Sequence, residues 1–168
     1  TLNPAVPLTY LESGEFGPAC VLDKQADCYM SSPPALERRP NVSAGTACSD
    51  APDVGACQAS LTQQLRDLCD WEFCHFRYVA TTAGGVTKVL TQAPDVAALL
   101  APVDTVQEAQ LLAWMAGFNG FAAPMSTCPS ADNWDARPTD SGFTMTALVT
   151  DRPSCIEPSL ERCQLAIQ

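Results

Sequence analysis

Apolar and polar residues alternate along the first twelve positions of the chain. This period of two is typical of a half-buried strand, but Pro4 and Pro7 cannot donate the hydrogen bonds of a central ladder position. We therefore predict that residues 1–12 form an extended arm at the edge of a sheet. The even positions on the apolar side of this arm are Leu2, Pro4, Val6, Leu8 and Tyr10.

Residues 13–54 show neither a helical nor a strand period. They are rich in Pro, Ser, Gly, Asp and Ala, a composition that predicts a loop. A loop of this length is unusual inside a compact domain unless something fixes it in place. Disulfide bonds from Cys20, Cys28 and Cys48 could do so.

A helix is predicted after this loop. Ser60 and Gln63 form a possible capping box at its start, and Cys57 and Cys69 would tether its two ends. One stripe at helical spacing carries the apolar residues of this segment, which are Leu61, Leu65, Leu68 and Cys69.

Two stretches rich in aromatic and β-branched residues indicate a hairpin. Residues 71–82 form its first strand, residues 83–85 its turn and residues 86–90 its second strand. Alternation along the first strand separates its side chains onto two faces. One face holds Cys74, Phe76 and Tyr78, and the other holds Phe73, His75, Arg77 and Val79.

The C-terminal half combines helices with a meander of strands. A short helix over residues 95–100 precedes a longer one that Asp104 caps and that ends at Ala116. Two main helices packed on the hairpin and on a three-stranded meander define an α+β fold. We predict a single disulfide-rich domain over residues 13–168. The meander consists of strands over 134–137, 143–150 and 163–167, with a turn at 139–142.

Cysteine usage indicates an oxidising compartment. Nine cysteines in 168 residues exceed what reduced cytosolic proteins carry, and only one pair is spaced as closely as zinc ligands are. Because nine is odd, one sulfur either bridges to another chain or remains a thiol. The candidates for disulfide bonds are Cys20, Cys28, Cys48, Cys57, Cys69, Cys74, Cys128, Cys155 and Cys163.

Charge and hydropathy disfavour two classes of partner. A net charge of −10 repels nucleic-acid backbones and anionic lipid surfaces. No apolar run approaches the roughly 18 residues of a membrane-spanning helix. The chain begins at Thr1 without a methionine, and we predict export through a removed signal peptide to the cell surface or the extracellular space.

The stretch from Cys69 to Tyr78 carries the densest chemical signal, because it holds two cysteines and the only histidine. Covalent haem attachment needs two thiols and an adjacent histidine as axial ligand. Cys69, Cys74 and His75 follow that order at a longer spacing than usual. In the alternative interpretation, which we adopt, both cysteines are half-cystines that tie their elements to other parts of the chain.

Other candidate sites are weaker. Asp132, Asn133 and Asp135 gather oxygen ligands that calcium favours, although solvated turn residues are the simpler interpretation. Asn41 begins an N-glycosylation triplet. A histidine-based hydrolase would have to use His75, and the Gly-x-Ser-x-Gly and His-Glu-x-x-His motifs are absent. A two-carboxylate glycosidase leaves no signature in a sequence.

One further pattern lies in the C-terminal half of the chain. It comprises Val96 to Gly117 with Leu99-Leu100, Pro102 to Thr105 and Glu108-Ala109, followed by Cys128, Trp134, Gly142-Phe143, Ala147, Cys155 and Pro158. The pattern resembles one that recurs in secreted Cys-rich proteins of myxobacteria and related bacteria, and it covers less than half of the chain. The resemblance implies export and a bacterial source, and it carries no catalytic residue.

These observations favour a structural or binding protein over an enzyme. We predict an exported subunit of a cell-surface or extracellular assembly, which could be filamentous and built from copies of itself or from other proteins. The arm, through Leu2, Val6, Leu8 and Tyr10, could complete a neighbour's sheet by β-strand addition. A c-type haem electron-transfer protein is the alternative.

Overall fold

The computed structural model describes residues 8–19, 35–69, 74–116, 135–150 and 160–167. The described part is a mixed α+β structure, as predicted. Two compact units divide the chain, one within residues 6–91 and the other from Gln92 onward. Along the chain the elements are β1 (Tyr10–Pro18), β2 (Leu36–Gly45), α1 (Val54–Asp67), β3 (Phe76–Ala83), β4 (Val86–Leu90), α2 (Ala93–Leu100), α3 (Val106–Ala116), β5 (Asp135–Thr139), β6 (Gly142–Thr150) and β7 (Leu160–Ile167).

The first unit is built on a four-stranded antiparallel sheet in the order β2-β1-β3-β4. Helix α1 packs against one face of this sheet and supplies Leu61 and Leu65 to the core. Strands β1 and β3 are both interior, and their side chains form most of the buried surface. The core cluster consists of Phe16, Leu61, Leu65, Cys74, Tyr78 and Ala80.

Strand β1 corrects two predictions. Residues 10–12 are not the end of an edge arm, because they begin a strand that pairs with β2 on one side and β3 on the other. Residues 13–54 are not one loop, because they hold the rest of β1, all of β2 and the start of α1. Polar residues such as Glu12 and Ser13 interrupt the apolar pattern by which a strand is predicted. Both are buried in the sheet nonetheless.

Helix α1 begins six residues before the predicted capping box. Asp53 is the N-cap, and its side chain accepts a hydrogen bond from the Ala56 N–H at 2.9 Å. Ser60 therefore lies inside the helix. The predicted tethering of both ends is confirmed, since Cys57 in the first turn bonds to Cys48 and Cys69 after the last turn bonds to Cys74.

The predicted hairpin is confirmed as β3 and β4. Its two-residue turn places Gly84 at φ 57° and Gly85 at φ 74°. Both values lie in the left-handed region, where residues with a β-carbon are disfavoured, and a turn with two such residues matches the twist of paired strands. The glycine pair therefore fixes the register of the hairpin.

The second unit joins α2 and α3 to a three-stranded antiparallel sheet in the order β5-β6-β7, as the meander prediction required. Helix α3 begins one residue later than predicted, with Thr105 as its cap. The Thr105 hydroxyl accepts from the Glu108 N–H at 3.3 Å, and the Glu108 carboxylate accepts from the N–H groups of Asp104 and Thr105 at 3.1 Å. This reciprocal capping box explains why Glu108 is fully buried.

Candidate functional site

A buried carboxylate lies in the middle of the four-stranded sheet. Glu12 on β1 is only 2% exposed and accepts hydrogen bonds from the hydroxyls of Tyr10 and Tyr78. Arg38 on β2 adds an ion pair, with its Nε 3.5 Å from a carboxylate oxygen. Two hydrogen bonds and one ion pair thus compensate Glu12 for its loss of contact with water. A buried carboxylate is stable only with such partners.

Gly14 makes room for this cluster. Gly14 lies directly opposite Tyr78 in the β1–β3 ladder. A β-carbon at this position would lie 2.7 Å from the Tyr78 hydroxyl and 2.5 Å from the carbonyl oxygen of Arg39. The absence of a side chain lets Tyr78 lie across the strand and reach Glu12.

The environment of Glu12 holds both tyrosines in their neutral form. Burial raises the pKa of Tyr10 and of Tyr78 far above the usual 10.0, and the hydrogen bonds to the Glu12 carboxylate raise the pKa further. Neutral hydroxyls that donate to a buried carboxylate are a structural arrangement, because neither hydroxyl is available as a nucleophile or base near neutral pH.

A second ionic group lies on the opposite face of the same strand. Glu15 on β1 has its two carboxylate oxygens 3.8 Å from Nε2 of His75 and 3.6 Å from Nε of Arg77. Arg39 faces Glu15 from β2 and pairs with Glu37 at 3.2 Å. Arg77 is buried, whereas His75 and Glu15 are half-buried. The predicted separation of His75 and Arg77 from the core face of β3 is confirmed.

The pKa of Glu15 makes this group sensitive to acid. The neighbouring His75 imidazole holds the pKa of Glu15 below its usual 4.5; the Arg77 charge adds to this effect and burial opposes it. A carboxyl whose folded-state pKa is lowered stabilises the fold above its unfolded pKa, and that contribution disappears as pH falls through the folded pKa.

Replacing Glu15 with glutamine should therefore lower the free energy of unfolding at neutral pH and flatten the acid side of its pH profile. Urea unfolding at about pH 7 and about pH 2 measures both effects. His75→Asn should move the Glu15 titration, followed by carboxyl NMR, back toward the usual value. Parallel acid profiles for wild type and Glu15→Gln would contradict the assignment.

The Cys69–Cys74 disulfide joins the end of α1 to a residue two positions before β3, with the two Cα atoms 5.3 Å apart. We expected each cysteine to bond to a distant part of the chain, and the structure instead pairs them with each other. Thioether attachment of haem needs both sulfur atoms, and the bond to the other cysteine uses them. His75 is also directed at Glu15. Thioether attachment of haem would therefore require this disulfide to be reduced first.

The same disulfide is poorly placed for redox catalysis. Cys69 follows the C-terminus of α1, and its N–H bonds to the carbonyl of Arg66 at 2.9 Å. The negative end of the helix dipole disfavours a thiolate there, whereas reactive cysteines usually lie at helix N-termini or beside cations. Cys74 is buried in the core cluster. The pair is therefore a tether between α1 and β3.

An absorbance spectrum distinguishes the disulfide from haem. The protein purified from an oxidising compartment should show no Soret band and should gain free thiols only after reduction. Expression in a host that matures c-type cytochromes provides the control, because it supplies haem and the attachment machinery. A Soret band that survives denaturation would show thioether attachment and would overturn the disulfide assignment.

The outer edge of β2 divides into two parts with different chemistry. The first part carries Glu37, Arg38 and Arg39, then Pro40. The register shift between Ser13 and Gly14 of β1 falls at Asn41, at the boundary between the two parts. Charges, proline and bulges are the features that protect sheet edges from pairing. Residues 41–45, which we call the open half-edge, are exposed and uncharged and contain no proline.

The other edge of the sheet is less accessible. Strand β4 is half the length of β2, and α1 contacts it. On this strand Thr87 is buried and bonds to Gln64 of α1 through its hydroxyl at 2.9 Å. Among the strands described in the first unit, the open half-edge is therefore the segment best suited to receive another strand.

The remaining predicted site residues are scattered. Leu8 lies just before β1 and Cys163 lies in β7. Asp135, a calcium candidate, is exposed on β5 and pairs with Arg137 at 3.2 Å, and the described ranges contain no group of three metal-ligating residues. Asn41 is exposed on the open half-edge. Outside the described residues are Leu2, Val6, Cys20, Cys28, Cys128, Cys155, Asp132 and Asn133.

Sequence reasoning missed Glu12, Glu15 and the edge of β2. A signal for β1 existed, because apolar residues return at the even positions Phe16 and Pro18 after the interruption at Glu12 and Gly14. Two acidic residues and two glycines within nine positions concealed it. For β2, ten largely polar residues with a central proline show no buried side, so only the pairing with β1 identifies the strand.

No protein-family model matches the chain, and no curated protein and no solved structure is significantly similar to it. In the part of the chain that the structure describes, no helix is long and apolar enough to cross a membrane. The function is therefore inferred from the geometry of the chain itself.

Proposed function

We propose that this protein is an exported, disulfide-stabilised structural or binding protein that serves as a subunit of a cell-surface or extracellular assembly. The observation that carries the proposal is the open half-edge of β2. An exposed, uncharged strand edge presents unpaired N–H and C=O groups, which can bind an added strand through main-chain hydrogen bonds.

Export is supported by the disulfides of the first unit. Cys48–Cys57 and Cys69–Cys74 close short loops at the two ends of α1. Bonds of this kind persist in oxidising compartments and are rare in the cytosol. Cys48 is fully buried and Cys74 nearly so. Buried disulfides of this kind are tethers that suit a subunit which must remain folded outside the cell.

A binding role is supported by the contrast within β2. Its first part is protected by charge and proline, while residues 41–45 lack both. Five residues of strand measure about 17 Å, enough for several main-chain hydrogen bonds. The side chain of Val42, the second residue of this segment, is 61% exposed, so a partner strand would cover an apolar surface as well.

A charge introduced on the open half-edge should prevent assembly. We expect the wild-type protein to form oligomers whose mass rises with concentration, and Val42→Lys to remain a monomer because lysine disfavours edge pairing. Val86→Lys is the matched control, since Val86 is 69% exposed on the opposite edge strand. Native mass and sedimentation velocity measure the effect.

The Val86→Lys control and a measurement under reducing conditions show whether the open half-edge is responsible for assembly. Val86→Lys should assemble like wild type, and circular dichroism should show that both variants are folded. A wild-type protein that stays monomeric at every concentration would contradict self-assembly, and equal assembly by Val42→Lys would exclude this edge. Assembly that survives reduction is not due to an intermolecular disulfide from the odd cysteine.

A further inference from the structure

Residues 46–52, which we call the crossing segment, pass over the end of the four-stranded sheet from the open half-edge to the turn between β3 and β4. The Cys48 N–H donates to the Thr82 hydroxyl of β3 at 3.4 Å. The Asp50 carboxylate accepts from the Thr9 hydroxyl, just before β1, at 3.1 Å and from main-chain N–H groups of the β3–β4 turn. The end of the open half-edge is therefore tied to the other strands of its sheet.

The Cys48–Cys57 disulfide fixes the crossing segment to α1. Cys57 lies in the first turn of this helix, which the core holds through Leu61 and Leu65. Cys48 is fully buried and has φ 62°, a conformation that residues with a β-carbon rarely adopt. Such a conformation persists only where the surrounding structure holds it. Without the bond to Cys57, we therefore expect the crossing segment to take another path.

The position of Cys48 links this bond to the open half-edge. Cys48 lies three residues beyond Gly45, the last residue of the half-edge. Gly45 also has a positive φ, 78°, and a β-carbon there would overlap the Thr9 carbonyl oxygen. The direction in which the chain leaves β2 thus depends on two unusual backbone conformations close together. A new path at Cys48 would disturb the end of an edge whose main-chain groups must be fixed to receive a strand.

Resting on the function proposed above, we infer that the Cys48–Cys57 disulfide is a redox switch for assembly. The open half-edge accepts a partner strand efficiently only after this bond has closed. In the reduced chain the crossing segment is released from α1, and ordering the edge then costs part of the binding free energy. Because disulfides form in oxidising compartments and are rare in the cytosol, the subunit becomes competent to assemble only after export.

Closing the switch is a two-electron oxidation by thiol–disulfide exchange. A thiolate of Cys48 or Cys57 attacks the disulfide of an oxidised thiol in the compartment, and the second thiolate then displaces that thiol from the mixed disulfide. The cysteines lose two protons and two electrons, and the external disulfide becomes two thiols. Since Cys48 is fully buried in the folded protein, the closed bond is shielded from a mild reductant that would open an exposed bond between subunits.

Two double variants of the full-length protein test the switch. Cys48→Ala with Cys57→Ala removes it, and the matched control, Cys69→Ala with Cys74→Ala, removes the disulfide at the other end of α1. Both variants keep the other cysteines, so an intermolecular disulfide is retained in each. We expect the first variant to need about ten times the wild-type protein concentration for half assembly in sedimentation velocity, and the control to assemble like wild type.

Hydrogen exchange shows whether the effect arises at the edge. In the monomer, the amides of residues 41–45 should exchange faster in the Cys48→Ala, Cys57→Ala variant alone, while the amides of β3 remain protected in both variants. Circular dichroism checks that each variant is folded. Sucrose, which favours the compact state, is added equally to all samples if the first variant is marginal.

The outcomes separate the two proposals. A wild-type protein that does not assemble overturns the proposed function, and the switch with it. Assembly of the Cys48→Ala, Cys57→Ala variant at the wild-type concentration, or unchanged exchange of residues 41–45, overturns the switch alone. Equal loss of assembly in the control variant would also overturn it, because the effect would then reflect general stability and not the crossing segment.

Discussion

Replacing Glu12 with alanine should lower the free energy of unfolding by about 3–5 kcal/mol, the range found when one member of a buried ionic group is removed. Two buried hydroxyls lose their acceptor, and each carries a desolvation penalty of roughly 1–3 kcal/mol. Loss of the ion pair with Arg38 contributes less to this destabilisation, because the Arg38 side chain is 35% exposed and can be solvated. Urea unfolding of wild type and variant measures the difference.

The control removes the hydroxyls together with the carboxylate. A Tyr10→Phe, Glu12→Leu, Tyr78→Phe variant leaves no buried polar group in the cluster, and replacing a buried ionic group by apolar residues of similar size is often close to neutral. We expect this triple variant to regain much of the free energy of unfolding that Glu12→Ala loses. If Glu12→Ala costs less than about 1 kcal/mol, which is typical of surface substitutions, the carboxylate does not organise the sheet.

Alkaline titration gives a second measure of the same cluster. The raised pKa values of Tyr10 and Tyr78 keep both phenols neutral beyond the usual 10.0. Their contribution to stability is complete below that value and is lost as pH rises toward the folded pKa values. In Glu12→Ala the carboxylate no longer opposes ionisation, so the tyrosinate absorbance should appear at lower pH.

Loss of the Cys48–Cys57 disulfide should cost roughly 2–3 kcal/mol, as expected for closing a loop of this size in the unfolded chain. The two residues are nine apart in sequence, with Cα atoms 5.9 Å apart. The bond holds the first turn of α1 to the segment that follows β2. Cys48→Ser with Cys57→Ser, compared with wild type by thermal and urea unfolding, measures its contribution.

The backbone at Cys48 provides a sharper comparison. Its φ is 62°, in the left-handed region that favours glycine. Cys48→Gly with Cys57→Ser should therefore be about 1 kcal/mol more stable than the double serine variant, because it relieves the strain of a residue with a β-carbon. Equal stability of the two double variants would show that the backbone relaxes once the bond is removed.

Local elements were the predictable part of this fold. The hairpin, the two C-terminal helices and the meander follow from periodicity within a few residues and from turn signals such as Gly84 and Gly85. The leucine stripe placed helix α1 correctly. The predicted start of this helix was wrong, because Asp53 and not Ser60 is its N-cap.

The candidate site was less predictable. The sequence singled out His75 together with Cys69 and Cys74. In the structure the two cysteines form a disulfide that tethers α1 to β3, and His75 contacts Glu15. The open half-edge has no signature in the sequence. An edge is defined by which strand pairs with which, and that depends on hydrogen bonds between residues far apart in the chain.

The amino-acid sequence by itself determined the hairpin, the C-terminal helices and the meander and indicated an oxidising compartment, because these depend on neighbouring side chains and on cysteine number. Only the tertiary structure decided that β1 is interior, that Cys69 bonds to Cys74 and that Glu12 is buried. The physical reason is that a buried charge needs partners. The Tyr78 hydroxyl bonded to Glu12 comes from 66 residues away, and no local pattern contains that contact.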